Sequence, residues 1–189
     1  MGKIIEIRWH GRAGQGVVTA AQTVAELLAA EGKYVQGFPD FGAEKRGAPI
    51  MAFNRISDSP VRIHSSIENP NYVVVADPSL IGLVDLTFGS NDDTVFIFNA
   101  TFEPSFLKEK LSIKGDVFSI DATGIALEEI GRGIPNIPLV TVLINVMGLM
   151  KPDALKAGIK KSLEKRFNQT IVESNLRTVD RALKEVKKA

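Results

Sequence analysis

Apolar and polar positions along this chain alternate between two periods. Ile4–His10 reads as a strand of period two, and about Gln15 to Ala30 reads as a helix with Val17, Ala21, Val24 and Leu28 on one face. Tyr34–Gly37 predicts a second strand, followed by a glycine-rich loop to Gly47 and an alternating strand over Pro49–Ile56. Tyr72–Ala76, Val95–Phe98 and Val117–Ile120 are short continuous apolar runs, the pattern of strands buried on both faces. Pro104–Leu111 and Thr123–Ile130 read as short helices. This β–α alternation predicts an α/β fold, a Rossmann-like open and mostly parallel sheet with helices on both faces.

The last third reads as helical. Leu139–Met150 is apolar nearly all round and belongs in the core or under a partner. Pro152 suits the first turn of a helix to about Phe167. Thr170-x-x-Glu173 has the form of a capping box for a final helix, where Val172, Leu176, Val179, Leu183 and Val186 make a short apolar stripe. No repeat or linker divides residues 1–189, so one domain is expected.

The junction of the first strand and first helix carries the clearest chemistry. Gly11-Arg12-Ala13-Gly14-Gln15-Gly16 lets the backbone turn sharply and empties into a helix N-terminus, where free N–H groups and the dipole favour an anion. Tight helix–sheet packing explains the same glycines, and the loop alone leaves both readings open. The order G-x-x-G-x-G departs from the dinucleotide fingerprint G-x-G-x-x-G, and no G-x-x-x-x-G-K-[ST] is present. Asp40, in a Phe-Pro-Asp-Phe-Gly turn, is poorly placed to hold a ribose.

Composition narrows the chemistry. The 189 residues are 44% hydrophobic and 24% charged, with a net charge of +1, which gives no electrostatic case for nucleic acid. There is no cysteine, so thiolate metal sites, iron–sulfur ligation and cysteine nucleophiles are excluded. His10 and His64 are the only histidines, too few for a histidine-rich metal site, and both lie in strand-like surroundings that suit structural roles. The longest apolar run is too short for a bilayer and no signal-peptide pattern opens the chain, so no membrane contact and a cytoplasmic location are expected. Charge is uneven: residues 151–189 hold eleven Lys/Arg and five Asp/Glu, residues 1–150 twelve and seventeen. Such a tail suits either an acidic partner or the solvated faces of two helices.

A second unusual segment, Gly37–Pro49, sets apolar residues and glycines around Glu44-Lys45-Arg46. In an open α/β sheet it would share an edge with the Gly11–Gly16 loop, and Arg46 could face the same anion or pair locally with Glu44.

Trp9-His10-Gly11-Arg12-Ala13-Gly14-Gln15-Gly16 together with Phe41-Gly42-Ala43-Glu44-Lys45-Arg46-Gly47-Ala48-Pro49 resembles the gamma subunit of 2-oxoacid:ferredoxin oxidoreductases, most nearly the pyruvate enzymes. Asn69–Val75 and Asp121–Ala126 support the resemblance, which covers nearly the whole chain. It implies a complex of alpha, beta, gamma and delta subunits that decarboxylates a 2-oxoacid, passes electrons to ferredoxin and releases an acyl-CoA. Thiamine diphosphate, magnesium and [4Fe–4S] clusters would belong to partner subunits and none to this chain, which offers no catalytic residue. What is left for it is assembly and a part in binding coenzyme A through Gly11, Arg12, Gly14, Gln15, Gly16 and Arg46. A branched-chain (ketoisovalerate) enzyme, or a purely structural subunit, are the alternatives.

Overall fold

The structure, a computed structural model, describes residues 4–40, 47–63 and 65–189. A seven-stranded mixed sheet forms its centre. In chain order the strands are β1 (Ile5–Arg12), β2 (Tyr34–Pro39), β3 (Pro49–Ser57), β4 (Tyr72–Val75), β5 (Val95–Asn99), β6 (Val117–Ile120) and β7 (Lys187–Lys188). Their spatial order is β2-β3-β1-β4-β5-β6-β7. The central strands β1, β4, β5 and β6 are parallel, whereas β3 runs antiparallel to both its neighbours and β7 antiparallel to β6. The predicted α/β sheet is therefore present, with an antiparallel hairpin built onto one side.

Six helices cover it: α1 (Val17–Ala30), α2 (Pro104–Lys110), α3 (Ala122–Ile130), α4 (Asn136–Met147), α5 (Pro152–Glu164) and α6 (Gln169–Glu185). The alternation along β1 divides the core. Ile7 and Trp9 point into a cluster with α1, α3, α4, α5 and α6. On the opposite face Val73, Val75, Phe96 and Phe98 pack under α2 and the stretch around Leu80 and Leu86. Helices thus lie on both faces, but among the described residues the second face carries a helix only over β4–β6. Over β1, β3 and β2 it carries Arg8, His10, Phe53 and Arg55 without a helix above them, because register pairs Arg8 with Phe53 and Glu6 with Arg55.

The apolar run in the last third resolves into α4, whose residues Ile137–Ile144 are all buried within this chain, between β5, α1 and α6. The helix begins earlier than its apolar run because Pro138 sits in the first turn, where a missing N–H is not needed, and it ends where Gly148 adopts φ +66°. The cap of α6 also differs from expectation. Asn168, not Thr170, caps it, its Oδ1 accepting the Ile171 N–H at 3.0 Å, while Glu173 accepts from Gln169 one turn before it. Asn168 lies just outside the helix with extended backbone, the geometry an N-cap requires, and Thr170 is already inside.

Candidate functional site

The chain leaves β1 into α1 on one face and leaves β4 through a single 3-10 turn, Pro78–Leu80, onto the other. Since β1 and β4 are neighbours, their carboxyl ends form the switch point at which open α/β sheets carry ligands. Gly11 and Arg12 belong to β1 itself, and the turn proper is Ala13–Gly16. Gly11 is required by packing: a Cβ there would lie 2.4 Å from Val17 Cγ2. Gly16, at φ +75°, starts α1 in a left-handed conformation with no side chain capping the helix and no acidic residue in its first turn. The first N–H groups of α1 therefore face the crevice with the positive end of the helix dipole.

Gln15 stitches the crevice together. Its Oε1 accepts the Arg12 N–H at 2.8 Å, and its Nε2 donates to Asp77 Oδ2 at 2.7 Å. Arg12 crosses from β1 to the opposite lip: its Nε and Nη2 donate to Ser79 Oγ at 3.1 and 3.0 Å, its Nη1 donates to the Gly47 carbonyl at 2.9 Å, and its Nε lies 3.2 Å from Asp77 Oδ2. Asp77 accepts the Ser79 N–H at 2.9 Å and so caps the 3-10 turn. Burial acts to raise its pKa, but the bonds from Ser79 and Gln15 and the Arg12 charge outweigh this and hold the carboxyl below its ordinary range. Ala13 donates to the Ala48 carbonyl, which brings the end of the Gly37–Pro49 segment to the glycine loop.

Two further helix starts border the crevice. Asn136, the first residue of α4, lies against Gly16, and Asn99 at the end of β5 donates to the Ala76 carbonyl and to Thr123 Oγ1 of α3. Asp77, Ser79, Asn99 and Asn136 escape a sequence reading because only the strand order brings them to Gly11–Gly16. Of the predicted residues, Gly11, Arg12, Gly14, Gln15 and Gly16 converge here. Arg46 and His64 lie outside the described residues. His10 is buried beneath the opposite face and paired with Arg8. Among the described residues no group of three His, Asp or Glu side chains is arranged to hold a metal ion, and no helix is long and apolar enough to cross a membrane. The crevice offers N–H donors and one guanidinium, the latter paired with the Asp77 carboxylate, a set that suits holding an anion at the helix N-terminus rather than moving protons.

Residues 6–185 match the model of the family described as pyruvate ferredoxin/flavodoxin oxidoreductase. The chain is 43% identical over 185 residues to pyruvate synthase subunit PorC of Thermotoga maritima, an alignment covering 98% of this chain and 96% of that one. It is 44% identical over 182 residues to the pyruvate/ketoisovalerate oxidoreductases common subunit gamma of Thermococcus kodakarensis, covering 89% and 98%. The crystal structure of pyruvate oxidoreductase subunit PORC from Thermotoga maritima superimposes with a TM-score of 0.85 at 40% identity, covering 99% of both chains. With a family match across nearly its whole length, close relatives named as gamma or PorC subunits and a shared fold, this chain belongs to the pyruvate ferredoxin/flavodoxin oxidoreductase family, as its gamma-type subunit.

Proposed function

We propose that this gamma-type subunit completes a cytoplasmic pyruvate (2-oxoacid):ferredoxin oxidoreductase and seats a phosphate of coenzyme A at the β1–β4 switch point. In this reading the alpha and beta subunits carry thiamine diphosphate and magnesium, cysteine-bearing partners including the delta subunit carry the [4Fe–4S] clusters, and ferredoxin takes the electrons. This chain supplies no redox or acid–base group. It binds and orients: the first N–H groups of α1 receive the anion, and Arg12 adds a charge-assisted contact. The observation that carries the reading is the uncapped N-terminus of α1 beside Arg12.

Replacing Arg12 by Ala in the assembled enzyme should raise the apparent KM for coenzyme A about ten- to a hundredfold, the loss of roughly 1.5–3 kcal/mol expected for a charged hydrogen bond. The KM for the 2-oxoacid should not move. Ser79→Ala removes a structural partner of Arg12 while leaving its charge, and should leave the coenzyme A KM near wild type. A second reading has its own support: Asp77, Ser79 and Gly47 already satisfy the Arg12 guanidinium, as in a loop that only braces two strand ends. An Arg12→Ala enzyme that assembles and keeps its coenzyme A KM within twofold establishes that bracing role. The names of the relatives span pyruvate and ketoisovalerate enzymes, and a 2-oxoacid panel on the complex separates these substrates.

A further inference from the structure

The part of the second face left without a helix holds a cavity of about 470 Å³. Its floor is Arg8 and His10, 3% and 5% exposed. Arg8 Nε donates to His10 Nε2 at 3.0 Å, and Arg8 Nη2 donates to the carbonyls of Leu86 and Phe88. Because an arginine always donates, His10 must accept at Nε2, which leaves it neutral with its proton on Nδ1. That N–H has no protein partner among the described residues. The walls are apolar: Met51, Phe53, Ile67, Val84 and the ring of Phe88. The rim carries three carboxylates, Asp40, Glu68 and Asp85, none in an ion pair among the described residues. Phe88 is 57% exposed, a large apolar ring held out beside the opening.

Among the described residues the cavity sets three carboxylates around one buried guanidinium, a balance that favours a basic group over a polyanion and so an occupant different from the one at the switch point. We propose that this cavity receives a segment of a partner subunit bearing a large apolar side chain next to a lysine or arginine. The apolar side chain fills the space over Phe53 and Met51. The basic group meets the acidic rim, and a backbone carbonyl of the segment accepts the His10 Nδ1–H, which has no partner among the described residues. The inference rests on the reading of this chain as one subunit of a larger enzyme.

The test uses the complete chain and the other subunits of its enzyme, with affinity read by titration and the assembly by native mass spectrometry. Phe88→Glu should weaken association about tenfold or more while the melting temperature of the free chain stays unchanged, since the ring is largely outside the core. Phe88→Leu should restore it. The double change Glu68→Lys, Asp85→Lys should also weaken it, and added salt should weaken the wild type. Phe167→Glu, at a comparably exposed ring of the α5–α6 connection, should have no effect. Wild-type affinity in Phe88→Glu overturns the inference. So does a dimer of the free chain that Phe88→Glu dissolves, which assigns the cavity to a second copy, or an unaltered assembly with a raised KM, which assigns it to a small molecule. A wild-type chain that fails to join its partners refutes the subunit reading itself, a separable result.

Discussion

His10 shows how a residue that looks inert in a sequence acquires a defined state from its neighbours. Burial first, and then the Arg8 charge, lower its pKa to about 4, with Asp85 opposing them. In the unfolded chain it takes up a proton below its ordinary 6.5, whereas in the folded chain it does so only near 4. Between those values the unfolded state binds more protons, so stability falls as the pH drops. From pH 6.5 to 5 this amounts to about 1.5 kcal/mol. Urea unfolding across that range should show the loss, and His10→Gln, which keeps an acceptor for Arg8 without a titrating ring, should flatten it. Asn54 is another such residue. Fully buried, it accepts from Trp9 Nε1 at 2.9 Å and donates to the Ala21 carbonyl at 2.8 Å, tying β1 and β3 to α1. Neither role is legible along the chain: that of His10 depends on the segment around Asp85 and Phe88 folding over β1, and that of Asn54 on which residue of β3 stands opposite which residue of β1. A slip of β3 by one position would send Asn54 to the other face.

The elements themselves were largely legible. Strand and helix periods, with Pro and Gly as punctuation, locate six of the strands and every helix within a few residues, because each segment has one face to bury. Strand direction was not legible: the length and polarity of the Gly37–Pro49 segment do not say whether the chain crosses over or turns back, and β2 and β3 form an antiparallel pair. The start of α6 was misplaced because Asn168 and Thr170 are both good caps on composition, and backbone geometry decides between them. Asn168→Ala should therefore lower stability by about 1 kcal/mol, and Thr170→Ala by clearly less. Thermal or urea unfolding of the two variants side by side measures the difference.

At the scale of the molecule, the uneven charge of the sequence turns inward. Arg177 and Arg181 of α6 pair with Glu129 and Glu128 of α3, Arg166 pairs with Glu26 of α1, and Lys187 and Lys188 pair with Glu103 and Asp116. The basic tail meets the acidic body of its own chain, which sequence counts alone could not distinguish from an external partner. This chain has no cysteine with which to ligate an iron–sulfur cluster. The purified, tag-free chain should accordingly contain no stoichiometric iron by metal analysis, bind no thiamine diphosphate by calorimetry, and reduce no dye with a 2-oxoacid. The two rims of the sheet have a further consequence. One is β7, two lysines hydrogen-bonded to β6 at the very end of the chain, and the other is β2, which finishes in a proline that has no N–H to give. A subunit of a multisubunit enzyme passes, before assembly, through a stage in which open strand edges invite indiscriminate pairing. Here one rim ends in charge and the other loses a donor at its last residue, which trims backbone pairing at both and leaves more of the recognition to side chains, which can tell one partner from another.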